Sequence, residues 1–234
     1  MRVLHTQEVT RATPRTRIVR IALGSDPFPF TAGQAVIVGV HGTSARRPYS
    51  IACSPQQAAR ANALELLVQI DDTDTADPHL EQLAPGTVVD VDGPLGSFGL
   101  PATLGDEDIL LVAGGTGIAP LRSMLWDTVE HRPANHVSLI YSVRSADEIA
   151  YEDELRRLGE QGRLDLRFTI TRDGPESWLG PRGRIDAPLI RSVVRGLETR
   201  CILCGPPAMI NDVTALLIAA GIPADFILTE SFST

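Results

Sequence analysis

Three glycines, Gly114, Gly115 and Gly117, follow an unbroken apolar run over residues 109–113. Such a run is typical of a strand that is buried on both faces. Glycine permits positive φ and leaves no Cβ between backbone N–H groups and an anion, and Pro120 suits the first turn of a following helix. The pattern lacks the lysine of an ATP-hydrolysing phosphate loop. It predicts a cradle for the diphosphate of a nucleotide, with a glycine-rich turn that binds nothing as the alternative.

A second group of reactive side chains lies within four residues, at Arg47, Pro48, Tyr49 and Ser50. Arginine can hold a diphosphate through two parallel hydrogen bonds, tyrosine offers a flat ring with a hydroxyl, and serine is a small donor. Together they suit a ligand that is planar at one end and anionic at the other. An exposed arginine beside a half-buried strand tyrosine is the alternative.

The three cysteines, Cys53, Cys201 and Cys204, are too few for a disulfide framework or a four-thiolate cluster. The last two have the C-x-x-C spacing of redox and metal motifs, but they lie in an apolar run that predicts a strand. At about 3.3 Å per residue their Cα atoms would be roughly 10 Å apart, beyond the ~7 Å that a disulfide allows. The five histidines show no ligand spacing, so no metal site is predicted.

Composition excludes several functional classes. The 234 residues are 43% hydrophobic and 21% charged, as in folded globular proteins. A net charge of −8 argues against a nucleic acid or an anionic membrane as partner. No segment reaches the ~18 apolar residues of a membrane span, and residues 1–8 lack the apolar core of a signal peptide. We expect a cytoplasmic protein without a membrane span, long enough for two domains.

Short strand-like runs separated by turn residues occupy the first hundred positions. Leu64, Leu66, Val68 and Ile70 alternate with other residues, which predicts an antiparallel strand with one buried face. This half therefore predicts a small antiparallel barrel, interrupted by a helical turn over 78–83. The predicted strands are 17–23, 34–40, 48–53, 64–70 and 87–91.

From residue 106 onwards, strand and helix patterns alternate. Ser145 and Glu148 predict a capping box for one helix, and Asp186 with Pro188 predicts the start of the next. Five strands joined by four crossovers predict a parallel, doubly wound sheet, after a linker near 100–105. The predicted strands are 109–113, 137–143, 164–171, 200–204 and 225–229. The predicted helices are 120–130, 146–158, 187–197 and 207–220.

Six short motifs follow one another along nearly the whole chain, at residues 30–34, 47–52, 93–98, 114–120, 204–209 and 230–232. Their order resembles that of the ferredoxin–NADP reductase superfamily. The resemblance implies a β plus α/β protein. Its residues 1–102 would form a six-stranded antiparallel Greek-key barrel that binds FAD. Residues 103–234 would form a five-stranded parallel, doubly wound domain that binds NAD(P).

The same resemblance implies a role for individual residues. Arg47 would hold the flavin diphosphate, Tyr49 would lie against the isoalloxazine, and Ser50 would donate a hydrogen bond at flavin N5. The implied flavin-binding residues are Arg47, Pro48, Tyr49, Ser50, Val68, Gln69, Ile70, His79 and Phe232. The implied dinucleotide-binding residues are Gly115, Thr116, Gly117, Arg144, Thr171, Arg172, Cys204, Gly205 and Pro206. The implied catalytic residues are Ser50, Cys204 and Glu230.

The sequence leaves an alternative open for each of the two cofactors, the flavin and the nicotinamide dinucleotide. The family's Gly-x-x-Ser/Thr turn for the flavin diphosphate is replaced here by residues 74–80, where an aspartate would repel a phosphate and His79 could serve instead. FAD is expected, with FMN as the alternative. The Thr171-Arg172 pair resembles the family's 2′-phosphate site, so NADPH is expected and NADH is the alternative.

The resemblance implies a flavin-dependent NAD(P)H oxidoreductase. A hydride would pass from NADPH to FAD, and the electrons would pass to a separate acceptor, an iron–sulfur protein such as a ferredoxin or an oxygenase component. Two alternatives stay open. The chain could be a flavin-bound electron-transfer subunit of a larger complex, or a nucleotide-binding module without turnover.

Overall fold

The computed structural model describes residues 1–70, 83–172 and 178–232. Within these ranges, the N-terminal half contains six strands and one short helix, α1, which lies between the fourth and fifth strands. Their bounds are β1 Arg2–Thr13, β2 Thr16–Ala22, β3 Ala35–Val40, β4 Arg47–Ser50, α1 Pro55–Ala61, β5 Ala63–Gln69 and β6 Val88–Leu95. The strands form one antiparallel sheet in the order β4-β3-β6-β1-β2-β5.

The two outer strands of this sheet meet and close it into a barrel. Ile51, just after β4, pairs with Leu66 of β5, and the N–H of Ala52 donates to the carbonyl of Glu65 at 2.8 Å. Inward-facing apolar side chains of the strands fill the interior. They include Val19, Ile21, Val36, Val38, Ile51, Leu64, Leu66, Val68, Val89 and Val91. The barrel predicted from the sequence is therefore confirmed.

Two barrel elements were missed by the sequence analysis. β1 pairs with both β2 and β6, but its residues are mostly polar and only Thr6 and Thr13 are buried, so it lacks an apolar face. Helix α1 begins with a complete capping box. The Ser54 side chain accepts from the backbone N–H of Gln57, whose side chain accepts from the Ser54 N–H.

The C-terminal half is a five-stranded parallel sheet with helices on both faces. Its elements are β7 Ile109–Gly114, α2 Ile118–His131, β8 Val137–Val143, α3 Glu152–Glu160, β9 Asp165–Ile170, α4 Ala187–Arg191, β10 Arg200–Gly205, α5 Pro207–Ala219 and β11 Ile227–Ser231. The strand order is β11-β10-β7-β8-β9. Leu121 and Leu155, on α2 and α3, pack in one core cluster, whereas Ile190 and Leu217, on α4 and α5, pack in another. The predicted doubly wound sheet is confirmed.

The predicted capping box at Ser145 was wrong. Residues Ala146–Glu148 form a 3-10 turn, no side-chain cap forms, and α3 begins at Glu152 after Tyr151, which has φ 60°. Burial of the intervening Ile149 and Ala150 overrides the local signal. The next helix, α4, is shorter than predicted, although Asp186 caps it as expected by accepting from the Leu189 N–H at 2.9 Å.

Strand β5 also differs from the prediction, because both of its faces are buried. Leu64, Leu66 and Val68 face the barrel core, as their alternation indicated. On the other face, Glu65 and Leu67 are only 6% and 5% exposed, because the C-terminal half covers them. β5 thus lies between the two halves. The predicted helical turn over 78–83 falls almost entirely outside the described residues.

Candidate functional site

The glycine-rich loop leads from β7 through a 3-10 turn, Gly115–Gly117, into α2. Of its glycines, Gly115 alone has positive φ, +55°, and a Cβ there would meet nothing within 4 Å. Gly114 and Gly117 do not use the positive φ that glycine permits, since theirs are −121° and −60°. They are needed for packing instead, since a Cβ on Gly117 would lie 2.1 Å from the Cys204 carbonyl oxygen.

A cavity of about 280 Å³ opens beside this loop, between the two halves of the protein. Gly115 and Thr116 line it from the C-terminal half, and Leu67 and Gln69 of β5 line it from the barrel. Phe232, which follows β11, closes part of its wall. The open Gly115 backbone offers room for an anion at the mouth of a helix. The cavity thus extends from the glycine-rich loop to β5.

The Arg47–Ser50 segment forms the whole of β4. Tyr49 is half-buried against the barrel core, Ser50 pairs with Ala35 of β3, and Arg47 is exposed. One edge of β4 pairs with β3, and one edge of β5 pairs with β2. The other edges of β4 and β5 face each other, and a bridge between Ile51 and Leu66 joins them. None of the four β4 residues is among the described residues that line the cavity.

Cys204 and Glu230 are partners in the β10–β11 register, at the carboxyl ends of both strands. Cys204 is buried, and burial together with the nearby Glu230 raises the pKa of its thiol, so the thiol stays neutral. Half-burial also raises the pKa of the Glu230 carboxyl. Gly205 ends β10, and Pro206 lines the cavity next to it. Neither Cys204 nor Glu230 is among the described residues that line the cavity, although each lies two residues from one that does, Pro206 and Phe232 respectively.

The arginines expected near a 2′-phosphate lie in different places. Arg144 and Thr171 line the cavity, and so does Arg184, which pairs with Asp212 at 3.4 Å. Arg172 is exposed and is not among the described residues of the lining, although its backbone N–H donates to the Arg144 carbonyl at 2.9 Å. The structure thus groups Arg144 and Arg184, rather than Arg172, around the cavity.

The sequence analysis missed the cavity residues that the barrel supplies from the β1–β2 turn, namely Thr13, Arg15 and Thr16. They carry no recognisable motif, and they reach the cavity because the two halves pack together. His79 lies outside the described residues. Across residues 1–70, 83–172 and 178–232, no three His, Cys, Asp or Glu side chains gather as metal ligands would. None of the helices in these ranges is long and apolar enough to cross a membrane.

Comparison with known proteins identifies the two halves. Residues 4–99 match the model of the oxidoreductase FAD-binding domain, and residues 111–215 match that of the oxidoreductase NAD-binding domain. The ferredoxin–NADP reductase B of Sorangium cellulosum (strain So ce56) is 32% identical over 219 residues, which cover 88% of this chain and 86% of that protein. The chain belongs to the ferredoxin–NADP reductase superfamily. It is an NAD(P)H-dependent flavin oxidoreductase that binds FAD.

Two other similar proteins are named as reductases of a demethylase and of a cytochrome P450. The reductase subunit of the aromatic O-demethylase from an Amycolatopsis species is 33% identical over 217 residues, which cover 89% of this chain and 61% of that protein. The crystal structure of the Amycolatopsis cytochrome P450 reductase GcoB superposes with a TM-score of 0.86 at 28% identity, covering 100% of this chain and 70% of GcoB. The chain thus has the fold of this reductase but is shorter than either protein.

Proposed function

We propose that this reductase takes a hydride from NADPH onto FAD and delivers the electrons to a separate protein, an iron–sulfur protein such as a ferredoxin or an oxygenase component. NADPH and one proton reduce the flavin by two electrons and leave NADP⁺. Two one-electron acceptors then reoxidise the flavin, and two protons are released. Bound FAD supplies this conversion of paired into single electrons. The cavity that Gly115, Gln69 and Phe232 line from both halves carries the proposal, because one ligand there can contact both domains.

The barrel residues are assigned to the flavin. Arg47 binds the diphosphate, and Tyr49 and Ser50 contact the ring from β4, with Ser50 donating a hydrogen bond at N5. Residues 68–70 contact the ring from the facing edge of β5. These assignments are supported by the edges of β4 and β5 that face each other, because β3 and β2 pair with the opposite edges of these strands. Phe232 covers the face of the ring that the nicotinamide shares, and its place in the cavity wall supports this role.

The C-terminal residues are assigned to the dinucleotide. The Gly115–Gly117 loop binds its diphosphate through backbone N–H groups at the start of α2. Cys204, Gly205 and Pro206 contact the nicotinamide at the carboxyl end of β10, where open α/β sheets bind their ligands. Glu230 lies beside Cys204 near this end of the site, and half-burial raises the pKa of its carboxyl.

NADPH is preferred to NADH because several cationic groups face the cavity. Arg144 and Arg184 line it together with Thr171, and a guanidinium matches a 2′-phosphate well. The ion pair between Arg184 and Asp212 is exposed and long, so a phosphate can compete for this arginine. Arg172 supports the site from outside the cavity wall.

We assign residues 1–102 to the flavin domain and 103–234 to the dinucleotide domain, which the two matched ranges support. The acceptor is proposed from the relatives, because the Amycolatopsis proteins are a demethylase reductase subunit and a cytochrome P450 reductase. The demethylase reductase is named as a subunit, which favours a second candidate function for this chain, an electron-transfer subunit of a larger complex. A cytoplasmic location stays a prediction from the sequence.

Anaerobic reduction of the purified protein tests the proposal. We expect yellow protein whose flavin absorbance is bleached by NADPH faster than by NADH at equal concentration, and restored by a ferredoxin. Flavin that NADPH does not bleach would contradict the hydride step. Rapid reduction with transfer only to a protein that co-purifies in a fixed ratio would favour the larger complex.

A further inference from the structure

Arg122 is a buried charged residue at the boundary between the two halves, and its guanidinium makes several polar contacts there. It lies on α2 and is only 5% exposed. Its Nε and Nη2 atoms donate to the two carboxylate oxygens of Glu154 on α3, both at 2.7 Å. Its Nη1 atom donates to the Ala52 carbonyl at 2.7 Å and lies 3.0 Å from Oε1 of Glu65. The guanidinium also lies over the ring of Tyr151, 4.3 Å from its centroid.

The groups that Arg122 joins belong to the segments that carry the cofactor residues. Ala52 is two residues beyond β4, which holds the proposed flavin contacts Tyr49 and Ser50. Glu65 lies on β5, whose far end contributes Gln69 to the cavity. Arg122 itself follows the diphosphate loop by five residues along the chain. One side chain therefore connects both facing edges of the barrel to the dinucleotide loop.

Neighbouring bonds reinforce the same boundary. The Ser123 hydroxyl donates to the Cys53 carbonyl at 2.6 Å, and Ser54 Oγ lies 3.1 Å from Glu130 on α2. Towards solvent, Arg60 pairs with Glu130 at 2.7 Å, but its side chain is 70% exposed. The buried bonds thus surround Arg122, and the exposed pair at the rim provides a natural comparison.

A buried ion pair is a poor way to gain stability, because desolvation offsets most of the attraction and apolar residues of equal volume do as well. Burial by itself lowers the pKa of the Arg122 guanidinium, but Glu154 and Glu65 outweigh it, so the group stays charged. Unlike an apolar contact, this planar group fixes direction through hydrogen bonds to α3 and to the segment after β4, together with the ion pair to Glu65 of β5. We therefore infer that the main effect of Arg122 is to orient these segments relative to one another.

Resting on the proposed hydride transfer, we propose that Arg122 is a positioning residue: it holds the barrel and the dinucleotide domain at the separation and angle that align nicotinamide C4 with flavin N5. The reacting atoms of such a step must approach to about 3–3.5 Å, and a displacement of about 1 Å can cost on the order of 100-fold in rate. Arg122 is not among the described residues that line the cavity, and it acts through β5, the segment after β4, and α2.

Arg122→Lys tests this role, because it keeps the charge but cannot bond to both oxygens of Glu154 and to Ala52 together. We expect the rate of flavin reduction at saturating NADPH to fall at least tenfold, and the long-wavelength charge-transfer absorbance between nicotinamide and flavin to weaken. FAD content and the Kd for NADPH should stay within about twofold of wild type. Arg60→Ala, which removes the exposed pair at the same boundary, should leave all four quantities unchanged.

Calorimetry of the protein without cofactors gives a readout independent of activity. We expect one cooperative unfolding transition in wild type and in Arg60→Ala, and two separated transitions in Arg122→Lys, because the halves are no longer tightly coupled. If Arg122→Lys does not fold, Glu154→Gln provides a milder change, since this carboxylate side chain is 21% exposed. The same results are expected from it.

Two outcomes separate this inference from the proposed function. Wild-type protein that binds FAD but is not reduced by NADPH would overturn the proposed function. Normal reduction of wild type, with an unchanged rate and a single unfolding transition in Arg122→Lys, would overturn the positioning role alone. A rate that falls only in proportion to lost FAD or NADPH binding would also overturn it.

Discussion

Two glycines in the diphosphate loop should respond in opposite ways to the same added methyl group. In Gly117→Ala the new Cβ would lie 2.1 Å from the Cys204 carbonyl oxygen and 3.0 Å from the Gly205 nitrogen. Real Cβ atoms keep at least 3.0 Å from such atoms, so about 1 Å of movement is needed. β10 is held between β7 and β11, so it cannot move freely. In Gly115→Ala the methyl group would meet nothing within 4 Å.

The magnitudes follow from these positions. Overpacking of Gly117→Ala costs about 3 kcal/mol, and about 1 kcal/mol is regained because alanine suits the helical φ of −60° at this position. We expect a net loss of about 2 kcal/mol in the free energy of unfolding. Gly115→Ala costs about 1–2 kcal/mol for positive φ, partly offset by about 0.4–1 kcal/mol from the unfolded chain. Its net loss should be about 0–1.6 kcal/mol, which is smaller than that of Gly117→Ala.

Binding should show the reverse order. The methyl of Gly115→Ala stands where the diphosphate approaches the loop, so NADPH should bind at least ~10-fold more weakly, about 1.4 kcal/mol. The fragment 2′-AMP lacks the diphosphate and should bind as it does to wild type. Urea unfolding followed by circular dichroism gives the stabilities, and titration calorimetry gives the affinities. Equal stability of Gly117→Ala and wild type, or equal weakening of NADPH and 2′-AMP by Gly115→Ala, would refute the reasoning.

Three further changes test single residues. Arg47→Ala should weaken FAD retention at least ~10-fold, because a charge-assisted contact is worth about 1.5–3 kcal/mol, and unchanged flavin content after gel filtration would remove Arg47 from the diphosphate site. Arg184→Ala should raise the KM for NADPH far more than that for NADH, and Arg172→Ala should do so less; a larger effect of Arg172→Ala would restore the assignment made from the sequence. Glu230→Gln should raise the urea midpoint at pH 8 but not at pH 4. Since burial raises the pKa of Glu230, the wild-type protein loses stability as pH rises through that pKa, and an equal shift at both pH values would contradict this cause.

The fold could be predicted because its signals are local and repeated. The apolar run before Gly114 and the alternation through Leu64, Leu66 and Val68 depend on neighbours within a few residues. The Ser145 capping box failed for the same reason. Its local signal was sound, but Ile149 and Ala150 are buried, and the Ala150 N–H donates to the hydroxyl of buried Tyr141 at 3.4 Å. Tertiary packing decided where that helix begins.

The site was predictable where motifs carry it and unpredictable where the two halves build it. The glycine spacing after β7 predicts Gly115 and Thr116 as binding residues, and both line the cavity in the structure. Arg15 and Thr16 belong to an ordinary strand turn, and nothing in their sequence indicates that a second domain will lie against them. Arg172 shows the opposite situation. Its motif is familiar, but the residue is exposed and is not among the described residues that line the cavity, so its role stays a prediction.

Helix α2 explains why the cavity between the halves can have a fixed shape. The glycine-rich loop leads into its first turn, and the next turn carries Arg122 and Ser123. These two side chains donate hydrogen bonds to the barrel carbonyls of Ala52 and Cys53. A helix is stiff over so short a distance, because each turn is held by its own hydrogen bonds. Movement of the loop relative to β5 must therefore break the bonds of Arg122 or bend α2 near its start. We therefore expect a dinucleotide bound at this loop to meet the flavin in one geometry.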